Sequence, residues 1–224
     1  VRGDAGARVT PKPPALPPAL EPLDLSILVA GGPLRVSGAL LAGGEVPPSC
    51  APGLLVEESR LQTVTVAPAD SPGLLISDAV LIGCDLSNVA ARGGSLRRVE
   101  VRDCRLVGFA LNEGKAVDLR VSDTTLAYAS FAFSKLERVV FERVILREAT
   151  FLQASLAGVE FIGCDLAGAD FRGAAMSSCT MRGSTLEGVV GVESMRGLTM
   201  PWADLLASAA ALAGALGIAI EPEP

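Results

Sequence analysis

The sequence predicts an all-β solenoid, and three observations carry that reading. From Ile76 to Leu186 every fifth residue is apolar, 23 positions without exception, and five of the chain's seven Phe (Phe131, Phe141, Phe151, Phe161 and Phe171) lie among them. With half the residues apolar, chance yields such a run about once in ten million trials, so the chain contains a true repeat. Two residues before these positions lies a second, mostly small set, including Ala79, Cys84, Val89, Ala129, Ala149, Ala169 and Ser184. Lastly, a period of five fits neither the 3.6 of an amphipathic helix nor the 2.0 of a flat strand. A short extended stretch keeps the small and large residues on one side, because side chains alternate along a strand. The remaining residues of each unit turn a corner and face water.

In chain order, residues 1–22 carry Pro at 11, 13, 14, 17, 18 and 22 and read as a disordered or polyproline arm. Residues 23–73 hold the repeat phase irregularly, through Leu34/Val36, Ala39/Leu41, Leu54/Val56, Ser59/Leu61 and Val64/Val66. Up to two irregular coils are expected there, with the Pro-containing stretches 46–53 and 67–73 projecting as loops. Residues 74–190 form the regular rod. Inside it a bulge is expected over 109–116, where Phe109 takes a small-residue slot and Gly114 and Ala116 underfill the next unit. Residues 191–224 form a C-terminal helical cap. Pro201 and Asp204 suit a helix start and Gly217 its stop, so the helix spans about 201–216, followed by a short strand over 218–220. Its Ala209, Ala210 and Ala213 would let it lie close to the rod's open end or to a second copy. The uncharged run of 205–220 is too short to span a membrane, which takes about 20 residues, so no membrane contact is expected.

The units Cys164-Asp165-Leu166-Ala167-Gly168, Ala169-Asp170-Phe171-Arg172-Gly173 and Cys84-Asp85-Leu86-Ser87-Asn88 resemble those of the pentapeptide-repeat proteins: a small residue, Asp or Asn, Leu or Phe, and two variable residues. Most other units lack the Asp or Asn. The resemblance covers about residues 34–189 and implies a right-handed quadrilateral β-helix with four units per coil. Residues 20 apart should then stack in columns. Leu86, Leu106, Leu126, Leu146, Leu166 and Leu186 form one such column, and Ala91, Leu111, Phe131, Phe151 and Phe171 another; Phe141 and Phe161 share a third.

The chain has no His, which removes His-based triads and common zinc sites. No phosphate-cradling Gly loop is present, and neither an enzyme nor a cofactor or small-molecule substrate is expected. The five Cys read as reduced thiols filling small slots, so a reducing, cytoplasmic setting is expected; no apolar stretch with basic flanks reads as a signal peptide. The net charge is -6, yet residues 74–189 carry 14 acidic and 13 basic side chains. One face gathers Arg97, Arg98, Lys115, Lys135 and Arg138, the candidate binding surface. The other faces are on balance acidic, with Asp85, Glu100, Asp103, Asp123, Glu142, Asp165 and Asp170. Val80, Ile82, Val140 and Ile162 make an outward apolar stripe, expected to receive the N-terminal arm. The resulting reading is a noncatalytic protein-interaction scaffold with an unknown protein partner, and with a homodimer through the C-terminal helix as a further expectation. The alternative, which the resemblance implies, is a DNA-mimicking rod that binds DNA gyrase and protects it from quinolones or toxins. A basic-face nucleic-acid binder is the third reading.

Overall fold

The structure, a computed structural model, describes residues 8–25 and 33–219. Its repeat length is 20 residues. Strand Leu75–Ile82 pairs in parallel with Ser95–Arg102 in the register Ser95↔Leu75 to Arg102↔Ile82. The same step continues through Lys115–Ser122, Lys135–Glu142 and Ser155–Ile162. Toward the N-terminus it is carried by the shorter strands Leu55–Glu57, Arg60–Gln62, Arg35–Ser37 and Ala39–Ala42, and toward the C-terminus by Ala175–Ser177 and Cys179–Arg182. Strands therefore stack on this face in coils that begin at 35, 55, 75, 95, 115, 135, 155 and 175.

The four units of a coil are not alike. Each eight-residue strand covers two of them and bends at one residue held at left-handed φ: Asp78 (49°), Arg98 (50°), Asp118 (56°), Arg138 (53°) and Gly158 (62°). The pairing register skips that residue, as between Arg97↔Val117 and Val99↔Leu119. The other two sides touch their neighbours through single bridges such as Asp85↔Arg105 and Ala90↔Ala110. Tight turns link them, closed by bonds such as Val89 N–H to the Leu86 carbonyl (3.3 Å) and Gly94 N–H to that of Ala91 (3.0 Å).

The interior is filled by columns. Leu86, Leu106, Leu126, Leu146, Leu166 and Leu186 are all buried, as are Phe131, Phe141, Phe151, Phe161 and Phe171. Phe131, Phe151 and Phe171 stack at centroid distances of 5.2 and 4.9 Å, and Phe141 and Phe161 at 5.4 Å. The two columns meet edge to face, with Phe151 and Phe161 at 5.8 Å and 86°. Both geometries suit the ring quadrupole and add about 0.5–1.5 kcal/mol per pair beyond burial.

Three local expectations are corrected. The stretches 46–53 and 67–73 are not projecting loops, because Ala51 and Ser71 are fully buried and complete the fourth side of their coils. Leu54 N–H reaches the Ala51 carbonyl at 3.0 Å and Leu74 N–H that of Ser71 at 3.1 Å, the same closure as Gly94 to Ala91. Pro52-Gly53 and Pro72-Gly73 are the two central residues of these turns, with Gly φ of 68° and 70°. Pro then Gly is what a type II turn requires there, so the apparent breaks are corner chemistry. The bulge over 109–116 is also absent: Leu111 N–H to Ser130 O (2.7 Å) and Lys115 N–H to Gly94 O (2.9 Å) carry the ladder straight through. Gly114 permits this, since a Cβ there would sit 2.8 Å from both the Leu111 side chain and the Gly94 carbonyl.

The third correction concerns the end. The helix spans Trp202–Ala215 and stops before Gly217, at φ 74°. Its Ala209 and Ala210 are exposed and Ala213 is half-buried, so the Ala face is not what meets the last coil. Leu212 of the helix packs on the core together with Val192, Met195, Leu198 and Met200 from the segment before it, and Leu198–Thr199 pairs with Cys179 and Thr180. Ile218 and Ala219 form no strand, Ile218 N–H bonding back to Ala213 O at 2.9 Å; Ile220 lies outside the described residues.

Candidate interaction surface

The bend residues of the first four long strands form an outward row along the rod, Asp78, Arg98, Asp118 and Arg138, one per coil, and Gly158 follows in the fifth. Their left-handed backbone brings the side chains side by side, and acid alternates with base. Arg138 donates from Nε to Asp118 Oδ1 (2.7 Å) and from Nη2 to Oδ2 (3.0 Å). Arg98 grips Asp78 through Nε and Nη2 in the same way. Bidentate pairing of this kind fixes the carboxylate plane.

The N-terminal arm lies on this row. Lys12 N–H donates to Asp118 Oδ1 (3.2 Å), Ala15 N–H to Asp78 Oδ1 (2.9 Å) and Val9 N–H to Glu160 Oε1 (2.7 Å). Asp78, Asp118 and Glu160 are all buried. A buried carboxylate is costly unless it is paired and hydrogen-bonded, and here arm backbone and, at the two Asp, Arg side chains do both. The Arg98 guanidinium holds the Asp78 carboxyl below its ordinary 3.8; burial opposes this and the Ala15 N–H assists. Arg138 does the same for Asp118, again against burial and with the Lys12 N–H helping. The apolar stripe is covered as well: Val80 and Val140 are buried, and Val140 and Ile162 line a crevice with Arg8, Val9 and Thr10.

The five basic residues singled out from sequence do not act as one set. Arg98 and Arg138 are tied to Asp78 and Asp118, and Arg138 also to Glu137. Arg97, Lys115 and Lys135 are exposed, with Lys115 and Lys135 direct register partners. The acidic residues are likewise interleaved with Arg. Of the seven, all but Asp103 have a guanidinium within 4.0 Å among the described residues: Asp85, Glu100, Asp123, Glu142, Asp165 and Asp170, from Arg105, Arg102, Arg143, Arg120, Arg147 and Arg172. Sequence reasoning missed Asp78, Asp118 and Glu160 as acceptors. The legible signal was the alternation of Asp and Arg at a spacing of 20 in the bend column.

Two further features complete the surface. Below the helix an apolar groove of about 510 Å³ is lined by residues including Leu186, Met195, Leu205 and Leu216. Trp202, Leu206 and Ile218 are exposed on the same segment. All five Cys are free and buried, and burial pushes the thiols of Cys164 and Cys179 up. None of the helices among the described residues is long and apolar enough to cross a membrane.

This geometry, with 20-residue coils, filled Leu and Phe columns and small residues two positions before them, is that of a pentapeptide-repeat β-solenoid. The family model described as "Pentapeptide repeats" matches residues 124–161 and 154–190, in eight copies. The same 20-residue register runs through the coils before that match. Among solved structures, a trypsin-treated form of QnrB1, a plasmid-mediated fluoroquinolone resistance protein, is similar at 20% identity and TM-score 0.46, covering 91% of this chain and 100% of that one. HetL, a pentapeptide repeat protein involved in heterocyst differentiation regulation in the cyanobacterium Nostoc, is similar at 17% identity and TM-score 0.33, over 80% and 90% of the two chains. A pentapeptide repeat protein of the Arabidopsis thaliana thylakoid lumen is similar at 28% identity and TM-score 0.32, over 42% and 59%. No curated protein sequence matches the chain.

Proposed function

We propose that this pentapeptide-repeat rod is a noncatalytic protein-interaction scaffold. One observation carries the reading: the outer row of the rod already holds an extended peptide, its own arm, by backbone N–H bonds to buried carboxylates. The interior is filled with side chains, so recognition falls to the exterior, where repeat proteins present long continuous surfaces. The exposed Trp202, Leu206 and Ile218 offer a second surface, for another copy of the chain. The free, buried thiols favour a reducing, cytoplasmic setting. A gyrase-directed DNA mimic needs a continuous row of negative charge at phosphate spacing, and the interleaved Arg residues count against it.

Affinity capture from the source lysate tests the proposal, with gyrase subunits quantified and duplex DNA added as competitor. Saturable capture of one protein species, unaffected by DNA, is the expected result. Gyrase released by DNA would replace this reading with the mimic, and turnover of a small molecule by the purified chain would overturn it.

A further inference from the structure

The contacts between arm and rod repeat with a fixed ratio. Donors Val9, Lys12 and Ala15 are three residues apart, and acceptors Asp118 and Asp78 are two coils apart, with Glu160 two coils further on. Three residues of polyproline II advance about 9.3 Å, and two coils at strand spacing span about 9.6 Å. One turn of such a helix therefore matches two coils, and each turn aims one N–H at a carboxylate. The intervening Arg98 and Arg138 hold the two Asp in place and set the acceptor spacing at every second coil.

Burial along the arm follows the same period. Pro11 is buried and Pro14, Leu16 and Pro17 half-buried, whereas Lys12, Pro13, Ala15 and Pro18 are exposed. From 11 to 17 a Pro thus turns inward at every third position, joined by Leu16, and Lys12 and Ala15, which follow Pro11 and Pro14, supply the N–H. The pattern ends on both sides together. The next donor position is Pro18, which has no N–H, and the bend column two coils beyond Asp78 holds Gly38, which has no carboxylate.

We propose that this row is a docking track for extended proline-rich segments, and that such a segment of a partner protein exchanges with the arm. The segment it fits carries Pro every third residue, with a residue other than Pro wherever an N–H must face a carboxylate. This rests on the scaffold reading and names its partner class. Most of the contact is backbone and proline ring, which any segment of that pattern reproduces. The tether gives the arm a local concentration in the millimolar range, so it competes strongly with ligands in solution. The arm is in effect a built-in competitor.

The test uses the full chain and a fluorescent peptide of residues 8–18. In the variant Lys12→Pro with Ala15→Pro the arm keeps its extended form and loses two donors. The expected result is faster amide exchange at Val9 in the variant, and peptide binding at least tenfold tighter than to the parent chain. A control peptide with Pro at both donor positions should not bind, and adding Asp118→Asn to the variant should weaken the native peptide about tenfold. Unchanged exchange at Val9 would overturn the proposal, as would equal binding of native and control peptides or no binding to the released variant. Each of these leaves the scaffold reading standing, since capture from lysate can succeed through another face.

Discussion

The coils before residue 90 and those after 120 share one backbone and differ in what fills it. One column reads Ala51, Ser71, Ala91, Leu111, Phe131, Phe151 and Phe171, all buried. At its thin end Ser71 bonds through its hydroxyl to the Ala51 carbonyl; at its thick end three rings stack. The bonds between coils keep the same 19-residue offset in both regions, as in Ser71 N–H to Ala90 O (2.8 Å) and Phe151 N–H to Asp170 O (2.7 Å). The ladder is therefore independent of the filling, and the apolar area buried per coil separates the two regions. The Phe coils should be the stable unit and the N-terminal coils the first to open.

The largest break is expected from Phe151→Asp, which puts an unpaired charge inside the ring stack and should abolish the cooperative melt. A melt near the parent temperature would refute the column assignment. Phe151→Ala should cost about 3–5 kcal/mol in urea unfolding, the range for deleting a buried Phe. Leu74→Ala in the thin region should fall at the low end of about 2–5 kcal/mol, and equal costs at both sites would remove the contrast between the regions. Gly114→Ala sits at the junction and forces a methyl toward the Gly94 carbonyl at 2.8 Å. It should cost about 1–3 kcal/mol by overpacking.

Acid tests how the arm ties the two regions together, since its bonds run from Glu160 to Asp78. Asp78 and Asp118 have pKa values lowered in the folded state, first by Arg98 and Arg138 respectively. Their contribution is therefore complete above the unfolded value near 3.8 and is lost as pH falls through the lower folded values. Arm amides should be protected at pH 7 and exchange freely near the acid end of that window. Protection that does not change with pH would mean that the carboxylates do not hold the arm. The smallest effect is kinetic: Cys50 should react with an alkylating reagent before Cys164, because its coil opens more readily. Both thiols are buried in the native state, so the order reports opening.

Much of the fold was legible because a solenoid is a local code. The five-residue period from Ile76 to Leu186 places each large residue inward with no knowledge of distant contacts, and the Leu and Phe columns lie where that period puts them. The failures fell where one residue has two meanings. Pro52-Gly53 and Pro72-Gly73 read as interruptions, because only the coil's register shows that those corners are the ones that take Pro then Gly. Gly114 read as an underfilled slot because the space a side chain would need is taken by Leu111 and Gly94, three and twenty residues away. Arg98 and Arg138 read as a basic patch because a formal charge count does not reveal pairing across coils.

By itself, then, the sequence determined the repeat length, the interior and the absence of a His-based site, since each depends on residue type and spacing alone. Only the tertiary structure decided where the arm lies, which charges neutralise each other and how the end is covered. Those contacts join residues up to 151 positions apart. Their energies depend on burial and on which coil stands next to which, and neither is encoded in any short stretch of chain.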